Sequence, residues 1–191
     1  MFGVISGLGV IEGTVKSTNR EFRAVPFAAP PVGSGRWAAP GPVKPWSSPL
    51  KATEDAAGCW QHCDLPKLGC PPTMSEDCLY LNIFTPREAH LSTPRPVLVF
   101  IHGGDFKQGY AGGLLYDGGL FANNTNTVIV VLQYRLGALG FGYSGDSITG
   151  NYGLQDQRAA FEWVKDHIGA FGGDPTMVTA FGQSAGAMSI A

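Results

Sequence analysis

Two unbroken apolar runs, Val97-Leu98-Val99-Phe100-Ile101 and Val128-Ile129-Val130-Val131-Leu132, constrain the fold of this chain most strongly. A strand with one wet face alternates apolar and polar residues, so a continuous run suits a strand covered on both faces. The surrounding pattern supplies such covers. Leu154, Phe161, Val164 and Ile168 share one face at helical spacing, and Gly169 stands where that helix should end. Leu79–Phe84 alternates in part, and Met177–Phe181 reads as a short strand after an Asp174-Pro175 turn. Upstream, residues 8–26 read as one hairpin, with Gly9–Val15 and Phe22–Val25 joined by a turn at Ser17–Arg20. Residues 29–50 carry Pro30, Pro31, Pro40, Pro42, Pro45 and Pro49, which predicts ordered coil rather than helix or central strand. An antiparallel entry followed by strand–helix–strand order predicts a mixed α/β sheet in one domain over 1–191.

Several function classes fall away. A net charge of −2, with only 15% charged residues, leaves no basic footprint for nucleic acid. No apolar run approaches the ~18 residues of a membrane span. Cys59, Cys63, Cys70 and Cys78 crowd one stretch, but not as CxxC pairs and with only His62 nearby, so disulfides are expected over zinc. Four cysteines allow three pairings. Disulfides imply an oxidising compartment, and the sequon Asn123-Asn124-Thr125 makes Asn123 a candidate glycosylation site. The first residues, Met1–Ile5, have neither the basic start nor the cleavage site of a signal peptide.

Gly182-Gln183-Ser184-Ala185-Gly186 fits G-x-S-x-G, with a predicted strand before it and a helix-compatible segment after it. That is the setting of a nucleophile elbow, with Ser184 as nucleophile. His102-Gly103-Gly104-Asp105 leaves the end of an apolar strand, as the oxyanion-hole loop of lipases and esterases does. Its backbone N–H groups at Gly104 and Asp105, with that of Ala185, would face the tetrahedral oxyanion. The His102 side chain reads as a brace for the glycines, not as a catalytic group. Nothing in these motifs calls for a cofactor or a metal.

The chain resembles the N-terminal part of the type B carboxylesterases, the family that includes the cholinesterases. The likeness rests on Val25-Pro26-Phe27-Ala28 with Pro30-Pro31-Val32-Gly33, Ser75-Glu76-Asp77-Cys78-Leu79-Tyr80-Leu81-Asn82, and Ile101-His102-Gly103-Gly104. It continues through Gln133-Tyr134-Arg135, Asn151-Tyr152-Gly153-Leu154-Gln155-Asp156-Gln157, and Phe171-Gly172-Gly173-Asp174-Pro175 leading into the elbow. The resemblance implies an α/β-hydrolase fold, truncated here after the elbow, and hydrolysis of small carboxylic esters through an acyl-enzyme at Ser184. It implies Cys59 paired with Cys78, which leaves Cys63 for Cys70. It also implies structural ion pairs Arg36–Glu76 and Arg135–Asp156, and a secreted or extracellular full-length protein.

Three departures qualify it. Asp105 stands where the family usually has a small residue, and a carboxylate turned into the hole would oppose the oxyanion. A face for quaternary ammonium is not evident, with Gln183 before the nucleophile and no tryptophan near Leu68, so choline esters are not expected. Only seven residues follow Ser184, without acid or histidine, whereas the hydrolase order is Ser, then Asp or Glu, then His. The 191 residues alone are therefore expected to be inactive. A non-catalytic adhesion or scaffold module, or an inactive truncated product, is the alternative.

Overall fold

The runs at 97–101 and 128–132 lie side by side as parallel strands at the centre of a six-stranded sheet. The structure, a computed structural model, describes residues 1–66, 68–89, 92–145 and 147–191. Its elements are β1 (Phe2–Ile5), β2 (Gly9–Glu12), β3 (Thr14–Val15), β4 (Asn19–Pro26), β5 (Leu50–Lys51), β6 (Gly58–Cys59), β7 (Met74–Ser75), β8 (Tyr80–Pro86) and β9 (Arg95–Ile101). There follow α1 (Gly119–Thr125), β10 (Val128–Leu132), α2 (Gly137–Phe141), α3 (Tyr152–His167), β11 (Gly173–Gly182) and α4 (Ala185–Met188). The main sheet runs β11-β9-β10-β8-β4-β3. β11, β9 and β10 are parallel, and β8, β4 and β3 are antiparallel. The expected mixed α/β sheet is present.

The two faces are covered from opposite sides. Val97, Val99, Ile101, Val128, Val130 and Leu132 pack with Ala160, Trp163, Val164 and Ile168 of the α3 region. Ile129 and Val131 pack with Ala122 of α1, together with Phe84. All of β10 is buried, whereas Leu98 and Phe100 of β9 stay partly exposed, because α1 is a helix of only seven residues.

Three readings need correction. The hairpin expected over 8–26 is divided at Gly13: β2 pairs with β1 and β5 in a separate sheet, and only β3 pairs with β4. Gly13 passes so close to β4 that a Cβ there would lie 2.6 Å from the Glu21 carbonyl oxygen. The buried face of α3 is Tyr152, Asp156, Gln157, Ala160, Trp163 and Val164, while Leu154 is 39% exposed. Asp156 turns inward because its partner Arg135 is buried beneath the helix. The helix itself ends at His167, two residues before Gly169 and close to where expected, and a 3-10 turn closed by Gly172 at φ 84° follows it. Finally, Asp174-Pro175 sits inside β11, in a register break between Gly173 and Val178 where Asp174 accepts from the N–H and hydroxyl of Thr176. The proline-rich 29–50 segment is coil with one 3-10 turn until β5, as expected.

Candidate active site

The parallel strands finish level: Ile101 lies opposite Leu132 on one side and Gly182 on the other. From β9 the chain crosses over α1 to β10, then over α3 back to β11 on the other side. The carboxyl ends of β9 and β11 are thus adjacent, and it is outside the carboxyl ends of the strands that open α/β sheets place their ligands. His102-Gly103-Gly104-Asp105 and Gln183-Ser184-Ala185 meet there.

Ser184 sits at φ 53°, ψ −121°, a strained conformation between strand and helix. The glycines around it make the turn possible. A Cβ on Gly182 would lie 2.5 Å from the Gly186 carbonyl carbon, and one on Gly186 would collide with the Ile101 carbonyl. The turn is thus pressed onto the end of β9. A Cβ on Gly103 would fall 3.0 Å from Ser184 Cβ, so the two loops touch at the proposed nucleophile. Ser184 is exposed, and its side chain makes no capping bond to the four-residue α4. Among the described residues, the N–H groups of Gly104, Asp105 and Ala185 have no acceptor.

Gly104, Asp105 and Phe106 take φ values of 111°, 59° and 58° in succession. Asp tolerates this region better than most residues. The Asp105 carboxylate is 76% exposed and ion-paired with Lys107 at 2.6 Å.

His102 is buried, stacked on Tyr134 at 4.6 Å, and its Nδ1 lies 2.8 Å from the Gly103 carbonyl oxygen. A carbonyl only accepts, so Nδ1 carries the proton. Burial lowers the His102 pKa to about 4 from an ordinary value of 6.5. Between these two values the unfolded chain binds more protons at this site than the folded one, so stability falls as pH falls. The loss reaches about 3 kcal/mol by pH 4. Urea unfolding from pH 7.5 to 4.5 should show this slope, reduced in His102→Gln. An identical pH dependence in the two proteins would contradict it.

The other histidines stand apart from this role. His62 lies exposed beside Asp64, His167 packs on Trp163, and His90 lies outside the described residues. The disulfides are Cys59–Cys78 and Cys63–Cys70. Arg135 and Asp156 form a buried ion pair, and Arg36–Glu76 a more exposed one. Asn123 is exposed, but it lies in α1 rather than in a loop. Among the described residues, no helix is long and apolar enough to cross a membrane.

No sequence pattern pointed to the residues that brace the proposed oxyanion loop from outside. Gln61 bonds both polar groups of Gly109, and the Asp64 N–H donates to Gln108 Oε1. Their only signal is position, Gln61 two residues beyond Cys59.

Comparison with known proteins agrees with this geometry. The carboxylesterase family profile matches residues 3–191. Para-nitrobenzyl esterase of Bacillus subtilis is 43% identical, over 98% of this chain and 39% of its own length. Crystal protein of Dictyostelium discoideum is 46% identical, over 96% of this chain and 33% of its own. The solved structure of a thermophilic PNB esterase superposes with a TM-score of 0.93 at 41% identity, covering all of this chain and 40% of that one. The chain thus spans about a third of the length of the curated relatives it matches.

Proposed function

The chain belongs to the carboxylesterase family, and on that premise we propose that it carries the nucleophile and oxyanion-hole portion of a serine ester hydrolase. Residues 1–191 would form the N-terminal portion of one α/β-hydrolase domain. The observation that supports the reading is the contact between the two loops at Gly103 and Ser184, together with N–H groups at Gly104, Asp105 and Ala185 that have no acceptor among the described residues.

In the proposed cycle, Ser184 Oγ adds to the carbonyl carbon of a small carboxylic ester. Its proton passes to a base contributed from outside these residues. The oxyanion accepts from the N–H groups of Gly104, Asp105 and Ala185. Collapse breaks the bond to the alcohol oxygen, which leaves protonated, and water then releases the acid from acyl-Ser184. Pairing with Lys107 and exposure to water limit how far the Asp105 charge opposes this.

Two disulfides and an exposed sequon asparagine support an extracellular site of action and a glycan on Asn123. The test of the nucleophile is chemical labelling. A fluorophosphonate should modify Ser184 in the full-length protein, and Ser184→Ala should abolish both labelling and turnover. Modification elsewhere, with activity surviving Ser184→Ala, would overturn the assignment.

A further inference from the structure

We propose that Gln61 is a positioning residue for the oxyanion hole, acting through Gly109; this rests on the nucleophile reading above. Three successive residues at positive φ, Gly104 to Phe106, form a loop that L-residues disfavour. Such a loop persists only when its surroundings fix it. Within it, among the described residues, the N–H groups of Lys107 and Gln108 reach back to the Gly104 carbonyl at 3.0 Å, and the exposed Lys107 ammonium pairs with Asp105. The remaining restraints come from outside.

On one side the Gly137 N–H donates to the Phe106 carbonyl at 2.8 Å. On the other, the Gln61 carboxamide closes a reciprocal pair with Gly109. Gly109 N–H donates to Gln61 Oε1 at 2.8 Å, and Gln61 Nε2 donates to the Gly109 carbonyl at 2.8 Å. Nε2 also donates to the Cys59 carbonyl at 3.0 Å, so the amide has one satisfied orientation. The Cys59–Cys78 disulfide anchors the backbone two residues away. Gly109 itself cannot shift freely: a Cβ there would stand 2.5 Å from His102 Cε1 and 2.7 Å from the Gly103 carbonyl oxygen. Gln61 thereby ties the disulfide loop to Gly109, which follows the proposed donors Gly104 and Asp105 and packs on His102 and Gly103 before them. It bonds neither those donors nor Ser184.

The test uses the full-length protein, a nitrophenyl ester and a trifluoromethyl ketone, whose hemiketal oxygen would occupy the oxyanion site. Gln61→Ala should lower kcat about 10- to 100-fold, with KM changed by less than about threefold. Affinity for the ketone should fall by the same factor as kcat. Gln61→Glu adds a reading that a merely structural role would not move. Its carboxylate would face the Gly109 and Cys59 carbonyls, and protonation restores a donor there. Ketone affinity relative to the unaltered protein should therefore rise as pH falls through the carboxyl range. Unchanged kcat and ketone affinity in Gln61→Ala, or a rise in KM alone, would overturn the proposal. If Gln61→Ala does not fold, a flat relative pH profile for Gln61→Glu overturns it instead. Failure of the unaltered protein to be labelled at Ser184 would remove the nucleophile reading, whereas labelling with indifferent Gln61 variants removes only this inference.

Discussion

Asp156→Ala is expected to destabilise the fold by about 3–5 kcal/mol, the usual cost of stranding one member of a buried ion pair. Asp156 accepts three bonds from Arg135: from its backbone N–H at 3.0 Å, from Nε at 2.8 Å and from Nη2 at 2.7 Å. The two side chains are 4% and 0% exposed. Burial pushes the Asp156 carboxyl up, and the bonds from Arg135 oppose that shift. Without the carboxylate, the guanidinium is left with the Tyr152 ring at 5.3 Å as a weak substitute. Its Nη1 already lacks a partner among the described residues.

The exposed Arg158–Glu162 pair on the same helix is the control. It should contribute no more than about 0.5 kcal/mol. Chemical unfolding of Asp156→Ala, Asp156→Asn and Arg158→Ala should rank them in that order of damage. A loss below about 1 kcal/mol for Asp156→Ala would contradict the argument. The pair also matters to the site. Arg135 leads into α2, whose first residue Gly137 holds the Phe106 carbonyl of the proposed oxyanion loop.

This pair shows why part of the fold was legible and part was not. The proposed elbow and oxyanion loop stand out in the sequence because their glycines answer local steric demands: Gly182 and Gly186 where the turn meets β9, Gly103 where the loops touch. The central strands were legible because burial on both faces leaves only apolar residues. The inward face of α3 was not, since an apolar count rotates the helix towards Leu154 while the structure turns Asp156 in. What decides it is Arg135, buried just beyond the end of β10, a pairing that the family resemblance implied but that the periodicity did not show. Gln61 was hidden for the same reason: an amide pairing across 48 residues leaves no periodicity. The β2–β3 division at Gly13 was hidden because a glycine in a strand pattern looks alike whether the strand continues or changes partner.

A polypeptide of residues 1–191 is expected to hydrolyse a short-chain nitrophenyl ester about 10⁶-fold more slowly than the full-length protein, the scale of losing a catalytic histidine. A serine hydroxyl is a weak nucleophile at neutral pH and needs a positioned base. Among the described residues, His102 is neutral, buried and committed through Nδ1 to the Gly103 carbonyl. His62 sits on the exposed disulfide ring beside Asp64, and His167 packs against Trp163 with its pKa lowered by burial. None bonds Ser184. The same polypeptide should self-associate. β11 is the last strand of the main sheet, paired among the described residues only with β9, and Met177 and Phe181 on it are exposed. An open, partly apolar edge invites pairing with another chain. Size-exclusion chromatography and the ester assay on one preparation separate the two expectations. A monodisperse monomer whose turnover disappears in Ser184→Ala would contradict both. An inert monomer would contradict only self-association, and would place the missing base, rather than aggregation, as the cause of silence.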